Sequence, residues 1–156
     1  MSWQLKTFEE LTNEQLYNII KERLNIFVVE QDCPYPELDD IDQHCFHLFT
    51  EEKGEIKAYC RILEAGLKYE EASIGRVIVK EKYRRNGLAT ELLNNAIDFT
   101  KNGLNETKIK IQAQDYLREF YGSFGFQSIS EVYLEDGIPH VDMILNGVVT
   151  NETAKA

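Results

Sequence analysis

Polar and apolar residues alternate along several short stretches of the chain, and a period of two residues is typical of strands. Trp3, Leu5 and Thr7 alternate with polar neighbours and predict the first strand. Lys53-Gly54 predicts a turn between the second and third strands. The later predicted strands cover approximately His44–Thr50, Ile56–Leu63, Ser73–Val79, Ile109–Ala113, Ser128–Leu134 and His140–Leu145.

Other segments repeat apolar residues every three or four positions, which predicts amphipathic helices. Thr12 and Gln15 form a capping-box pattern ahead of the first helix, and the prolines at 34 and 36 end it. The apolar face of this helix is predicted to be Leu16, Ile19, Ile20, Leu24 and Phe27.

A second helix is predicted to begin near Leu88 and to end at Gly103. A third covers Tyr116–Phe124, with Gly125 as its stop. The predicted order is therefore β-α-β-β-β-α-β-α-β-β, which indicates a mixed α/β sandwich around one sheet.

Composition narrows the possible functions. The chain has 156 residues, of which 17 are basic and 27 acidic, so the formal net charge is −10. Nucleic-acid binding is disfavoured, because it relies on cationic side chains. An acidic surface suits a cationic partner or substrate, or simply keeps the protein in solution. We expect one domain over residues 1–146 and a flexible polar tail over 147–156.

The chain start lacks the apolar run of a secretory signal, and no apolar stretch reaches the length of a bilayer span. Cys33, Cys45 and Cys60 are odd in number and widely spaced, which argues against a disulfide framework. We therefore expect a cytoplasmic protein with no membrane partner.

The strongest local pattern is a strand, a short loop and a helix between Val77 and Thr90. The loop carries Arg84, Gly87 and Ala89 with the spacing Arg-x-x-Gly-x-Ala. Backbone N–H groups in the first turn of a helix have no internal partner and attract phosphate oxygens. Small residues in such a loop allow the backbone to approach a ligand closely.

Four basic residues, Lys80, Lys82, Arg84 and Arg85, cluster beside this loop in an otherwise acidic chain. Such a cluster suits a phosphorylated ligand, whereas the alternative is an ordinary solvated run of charges. The loop is neither a P-loop nor a dinucleotide-binding fingerprint, since both consensus patterns are absent.

The loop resembles the Arg/Gln-x-x-Gly-x-Gly/Ala signature of the GNAT acetyltransferases. A second motif of that family is matched by Phe120-Tyr121-Gly122-Ser123-Phe124-Gly125-Phe126, in the expected order after the first. The segment from Phe27 to Tyr35 is similar to the ElaA-like branch of the family. So are the runs Ile74-Gly75-Arg76-Val77 and Gly137-Ile138-Pro139-His140.

The resemblance implies an α/β (α+β) fold with a mixed central sheet of about six to seven strands flanked by helices. It also implies N-acetyltransfer from acetyl-CoA to a primary amine by direct attack in a ternary complex. The acceptor would be a small cationic amine or a protein amine, and acetyl-CoA would be a co-substrate. A homodimer is a further possibility, since dimers are the commonest oligomers.

By the same resemblance, the donor is held by backbone groups of the central strand and of the loop after it. These positions are Val77, Ile78, Val79, Arg84, Arg85, Asn86, Gly87, Leu88, Ala89 and Thr90. An amide near Ile78–Val79 would polarise the acetyl carbonyl. Tyr121 matches the family's general acid, and its alternative role is that of a core aromatic residue.

The general base is left open among Glu30, His47 and His140. A histidine has the ordinary pKa range for this role, although His47 also fits simple packing on a strand. Arg76 lies among apolar neighbours and needs an acidic partner, either Glu30 or a residue of the acidic loop.

The acidic loop 37–42, together with Glu30, Gln31 and Tyr35, is expected to form the acceptor side and to favour a cationic amine. A zinc site at Cys33, His44, Cys45 and His47 is the other possibility, but the spacing matches no standard zinc pattern, so no metal is expected. The alternative to an enzyme is a non-catalytic acyl-CoA sensor or scaffold. The presence of Tyr121 argues against it, since binding alone requires no proton donor.

Overall fold

The computed structural model describes residues 2–146, which form two compact units. The first unit contains the residues up to Leu63 together with Gly75–Ala96, and the second contains Glu64–Ile74 and the residues from Ile97 onward. The predicted tail, 147–156, lies outside the described residues. The assignment of residues 1–146 to one domain stays a prediction.

The described residues form eight strands and three α-helices, which confirms the predicted mixed sheet flanked by helices. The strands are β1 (Gln4–Thr7), β2 (Phe46–Glu52), β3 (Glu55–Leu63), β4 (Ala72–Val79), β5 (Lys108–Gln114), β6 (Gln127–Ser128), β7 (Tyr133–Glu135) and β8 (Ile138–Asn146). The helices are α1 (Asn13–Arg23), α2 (Leu88–Asp98) and α3 (Arg118–Gly122). The strand predicted over Ser128–Leu134 is in fact divided between β6 and β7.

Antiparallel strands build the first unit. β1 pairs with β2 through Gln4↔Phe49, and β2 pairs with β3 through Phe46↔Ile62. β4 follows β3 in the hydrogen-bonded order. The predicted Lys53-Gly54 turn is confirmed, because both residues have the positive φ angles that a tight hairpin turn requires.

The capping box at the start of α1 is also confirmed. The Gln15 N–H donates to Thr12 Oγ1 over 3.0 Å, and the Thr12 N–H donates to Gln15 Oε1 over 3.0 Å. The predicted apolar face is only partly right: Ile19 is buried, but Leu24 is exposed. Four polar residues of α1 are buried instead, namely Gln15, Asn18, Glu22 and Arg23.

The core of the first unit is aliphatic and aromatic. It consists of Ile19, Ile26, Phe49, Ile56, Tyr59 and Ile78, with Leu11 and Phe27 packed against it. After α1 the chain continues in a wider π-helical segment, Leu24–Glu30, and so leaves the helix before Pro34 as predicted.

In the second unit β4 pairs in parallel with β5 through Ala72↔Ile109 and Ser73↔Lys110. β5 pairs antiparallel with β8, and both β6 and β7 also pair with β8. The last turn of α2 widens into a π-helical segment that ends at Gly103, as predicted. The order of elements places α2 directly after β4 and α3 directly after β5.

Candidate active site

The loop between β4 and α2 has the local geometry that its sequence predicts. Gly87 has a φ of +78°, a left-handed conformation that favours glycine. The Glu91 N–H donates to the Gly87 carbonyl over 3.1 Å and makes the first hydrogen bond of α2. The amides of Leu88, Ala89 and Thr90 precede that bond and so have no partner within the helix. A helix start of this kind fits phosphate oxygens.

Three of the four basic residues that cluster around the loop are paired with carboxylates. Lys80 Nζ lies 2.7 Å from Glu22 Oε2, and it also contacts Glu55. Lys82 Nζ lies 3.1 Å from the same Glu55 carboxylate. Arg85 is exposed, and within residues 2–146 no carboxylate pairs with it. Phosphate binding here would therefore depend on backbone amides more than on lysine charge.

Arg84 ties the loop to its surroundings. Its Nε donates to the Val79 carbonyl, at the end of β4, over 2.8 Å. Its two terminal nitrogens lie 2.9 and 3.1 Å from the two carboxylate oxygens of Glu30. Glu30, a candidate base, is thus the acceptor of a bidentate ion pair. Both carboxylate oxygens are therefore engaged by the guanidinium of Arg84.

β4 carries an unusual backbone conformation just before the segment expected to bind the donor. Arg76 has a φ of +51°, although it is neither glycine nor in a turn. After it, Val77 and Val79 are half-buried, whereas Ile78 is buried in the core of the first unit.

His47, the second candidate base, is fully buried on β2. Its Nε2 donates to the Asp42 carbonyl over 2.9 Å, since a carbonyl only accepts, and its Nδ1 accepts from the Tyr59 hydroxyl over 2.7 Å. Burial lowers the pKa of His47 below its ordinary value of 6.5. Because both ring nitrogens are bonded within the core, the geometry favours the packing alternative for His47, and its role as a base stays a prediction.

His140, the third candidate, lies on β8 opposite Tyr133 of β7. Its ring stacks on the Tyr133 ring with centroids 6.3 Å apart. His140 Nδ1 lies 2.7 Å from the Ile138 carbonyl, so Nδ1 carries the proton and Nε2 keeps a lone pair.

Tyr133 is itself fixed by two hydrogen bonds. Its hydroxyl donates to Asp142 Oδ1 over 2.5 Å and accepts from Gln112 Nε2 over 2.8 Å. Burial and the bond to Asp142 raise the pKa of Tyr133 to about 12, so it stays protonated at neutral pH. This support for His140 was not predicted from the sequence, although the alternation along β8 places residues 140 and 142 on one face.

Tyr121 lies on α3, in the second unit, and is 7% exposed. Its ring packs edge to face against Phe120 and Phe126, with centroids 5.3 and 6.1 Å away. The helix ends at Gly122, slightly earlier than predicted, and the turn after it reaches the predicted stop at Gly125, where φ is +103°. This packing fixes the direction of the Tyr121 ring.

Three arginines and three carboxylates form a closed ring of alternating charge in the first unit, which we call the ion-pair ring. Its members are, in order, Arg23, Glu37, Arg76, Asp39, Arg61 and Asp42. Arg23 and Arg61 were not predicted from the sequence. The sequence did contain a signal for Arg61, because a charged residue stands there within an otherwise apolar strand and needs a partner.

The ion-pair ring bears on two expectations. Of the two partners left open for Arg76, the acidic loop is the one observed, since Arg76 lies 2.7 Å from Glu37 and 3.4 Å from Asp39, whereas Glu30 pairs with Arg84. Burial alone would raise the pKa of Asp39, but its hydrogen bond to Arg61 holds the pKa below the ordinary value. Glu37, Asp39 and Asp42 are therefore already paired with arginines, which weakens the argument that the charge of this loop attracts a cationic amine.

Two further findings concern the residues that the structure describes. Among residues 2–146, no group of three or more histidine, cysteine or acidic side chains is arranged to hold a metal ion. Cys45 Sγ lies 3.9 Å from His47 Nε2, whereas His44 is exposed. No helix in the same range is both long and apolar enough to cross a membrane.

Comparison with known proteins identifies the family. Residues 5–146 match the family model of the acetyltransferase (GNAT) domain. The chain belongs to the GNAT acetyltransferase family. It is 37% identical to protein ElaA of Escherichia coli over 145 residues, which cover 92% of this chain and 95% of ElaA. Membership of the ElaA-like branch is thereby confirmed.

Two solved structures superpose closely on this chain. The crystal structure of E. coli ElaA has a TM-score of 0.85 at 36% identity and covers 93% of this chain and 99% of that one. An acyl-CoA N-acyltransferase from Pseudomonas aeruginosa has a TM-score of 0.88 at 35% identity, with the same coverage. The chain is therefore an N-acetyltransferase-type protein of the GNAT family.

Proposed function

We propose that this protein transfers an acetyl group from acetyl-CoA to a primary amine by direct attack in a ternary complex. The observation that carries the proposal is the start of α2, where Gly87 in a left-handed conformation precedes three amides without helical partners. This element follows β4 in a chain of the GNAT family. An acyl-CoA donor is also consistent with the similarity to the P. aeruginosa protein, which is an acyl-CoA N-acyltransferase.

The first task of the protein is to hold the donor. We assign the pyrophosphate to the backbone amides of residues 85–90, with Arg85 as an exposed cation beside them. The backbone of Val77 and Val79 pairs with the pantetheine arm as an added strand would. Arg84 positions the loop through Val79 and Glu30 and leaves phosphate binding to the amides.

The second task is to stabilise charge at the thioester. An N–H of the segment Ile78–Val79 donates to the carbonyl oxygen, where negative charge develops during attack. A preorganised donor of this kind contributes about 3 kcal/mol to the stability of the transition state.

The third task is proton transfer. Tyr121 donates a proton to the departing thiolate. His140 accepts the proton of the amine at Nε2, because its Nδ1 is protonated and bonded to the Ile138 carbonyl. Of the three bases that the sequence left open, Glu30 is held by Arg84 and His47 is enclosed in the core. The hydrogen bonding of the three side chains therefore favours His140.

The acceptor is a primary amine, either on a small molecule or on a protein. Glu37, Asp39 and Asp42 are paired with arginines, so their negative charge no longer favours a strongly cationic acceptor. An amine library should therefore include neutral and monocationic amines as well as polyamines and aminoglycosides.

The test is an acetyl-transfer assay with an amine library, read as free thiol and as acetylated product by mass spectrometry. Replacing Tyr121→Phe should lower kcat by about 10²–10⁴-fold with little change in the affinity for acetyl-CoA, because only the proton donor is lost. The His140→Gln variant should lower kcat by a similar factor and should remove the acidic limb of the pH–rate profile.

The outcomes separate an enzyme from an acyl-CoA sensor. Thermal stabilisation by acetyl-CoA without thiol release from any amine would favour the sensor. If Tyr121→Phe has the wild-type rate, Tyr121 is not the acid. If wild-type protein shows no affinity for acetyl-CoA, the proposed donor site is wrong.

A further inference from the structure

The ion-pair ring joins three separate elements of the first unit. Arg23 comes from α1, Arg61 from β3 and Arg76 from β4, whereas all three carboxylates come from the segment 37–42. Charges alternate around the closed ring, so each arginine contacts two carboxylates and each carboxylate contacts two arginines. Within the ring, N–O distances are 2.6–2.9 Å except for a single contact of 3.4 Å between Arg76 and Asp39.

Arg76 is the ring member whose backbone is strained. Its φ of +51° lies in the left-handed region, which residues with a Cβ atom disfavour. It stands inside β4, which continues on both sides of it, so this conformation is a local departure from the extended backbone of the strand. A strained residue of this kind persists only where the surrounding contacts hold it.

Hydrogen bonds of the Arg76 side chain keep the residue in this conformation. Arg76 Nε donates to Glu37 Oε2 over 2.7 Å, and Nη2 donates to the Glu37 carbonyl over 3.1 Å. Glu37 cannot move away, because its side chain is buried, accepts from Arg23 and accepts from the Tyr35 hydroxyl. If β4 relaxed at residue 76, the buried Glu37 and the partly buried Asp39 would each lose one of their two arginine partners.

We propose that the ion-pair ring positions β4 for catalysis by holding Arg76 in its left-handed conformation, which aims the backbone of Val77–Val79 at the acyl donor. The inference rests on the proposed function, since that function gives these backbone groups their role. Arg76, Glu37 and Asp39 are positioning residues, and none of them contacts the reacting atoms.

The decisive comparison is between Arg76→Ala and Arg76→Gly. Both variants lose the side chain and all its ion pairs. Glycine adopts a φ near +50° without strain, whereas alanine is strained there. Both should lose kcat/KM for acetyl-CoA, and Arg76→Gly should retain on the order of tenfold more of it than Arg76→Ala.

Lys53 offers a matched control. It has a φ of +53°, almost equal to that of Arg76, but it is exposed in the turn between β2 and β3. Lys53→Gly should be more stable than Lys53→Ala for the same backbone reason. Neither control should change kcat/KM, because this turn carries no donor-binding group.

Equal losses of kcat/KM in Arg76→Ala and Arg76→Gly would show that the side chain acts directly and would overturn the inference. A wild-type value of kcat/KM in either variant would also overturn it. If both fail to fold, Arg76→Lys tests the same point, because lysine keeps the charge but cannot bridge Glu37 and Asp39. It should fold and lose kcat/KM, and wild-type kcat/KM would overturn the inference. Calorimetry with coenzyme A separates the two proposals: no binding by wild-type protein refutes the donor site itself.

Discussion

At the scale of single residues, hydrogen bonding distinguishes side chains that the sequence presents as equivalent. His47 and His140 are both histidines on predicted strands. His47 has both ring nitrogens bonded inside the core, whereas His140 uses Nδ1 to donate to the Ile138 carbonyl. The chemistry of a histidine therefore follows from its neighbours, which lie far away in sequence.

The buried His47 makes a prediction about stability and pH. Its pKa is lowered in the folded state, because burial disfavours the charged ring. Below about pH 6.5 the unfolded chain binds a proton that the folded protein does not, so the free energy of unfolding should fall as pH drops. The slope should be positive below about pH 6.5 and should not exceed about 1.4 kcal/mol per pH unit, the limit for one proton, measured by urea unfolding.

The control for this prediction is the neighbouring histidine. His44 is exposed, so His44→Gln should leave the slope unchanged, whereas His47→Gln should flatten it. A wild-type slope in His47→Gln would show that another group is responsible.

At the scale of elements, the loop between β4 and α2 derives its function from backbone conformation. A Cβ atom added at Gly87 would have no heavy atom within 4 Å, so space alone does not require glycine there. The requirement comes from the φ of +78°, which turns the chain into α2 and leaves the first amides without helical partners.

Replacing Gly87→Ala should therefore impair the loop without filling any space. We expect a loss of about 1 kcal/mol in stability, from strain at positive φ, and weaker binding of acetyl-CoA, measured by calorimetry. Gly137→Ala is the matched control, because Gly137 has a φ of +79°, has equally open surroundings and lies in the turn between β7 and β8. It should lose similar stability but keep its affinity; equal loss of affinity in both would contradict the assignment of the loop.

At the scale of the whole molecule, the excess of acidic residues does not predict where the negative charge is available. The formal net charge is −10, yet three carboxylates of the acidic loop are neutralised in the ion-pair ring, and Glu22, Glu30 and Glu55 pair with the basic residues around the donor loop. Net charge therefore indicates little about the acceptor. A buried ring of charges is stable only while each member is paired.

Glu37→Gln tests that dependence. Its side chain is 0% exposed and contacts both Arg23 and Arg76, so neutralising it leaves two arginines short of a partner. We expect a loss of about 3–5 kcal/mol in the free energy of unfolding, measured in urea.

Asp40 provides the comparison within the same loop. It is exposed and outside the ring, so Asp40→Asn should change stability by less than about 0.5 kcal/mol. Similar small effects for both variants would show that the ring does not hold this loop.

The sequence by itself determined the features that depend on local chemistry. The capping box at Thr12, the stop at Gly125 and the loop before α2 were readable, because each depends on a few adjacent residues with special backbone requirements. Strand positions followed from alternation, and motif spacing indicated the family. The polar buried face of α1 was not readable, because a period of 3.6 residues identifies an apolar stripe but does not show which polar residues find buried partners.

Tertiary structure decided which charges are free. Arg23, Glu37, Arg61 and Arg76 lie up to 53 positions apart in the chain and meet only in the fold. The interaction energy of a charge depends on its distance to every other charge and on its exposure to solvent. Neither quantity is local in sequence. For the same reason, the sequence could name the candidate bases and the lysines beside the donor loop. Their hydrogen bonds and ion pairs followed only from the folded chain.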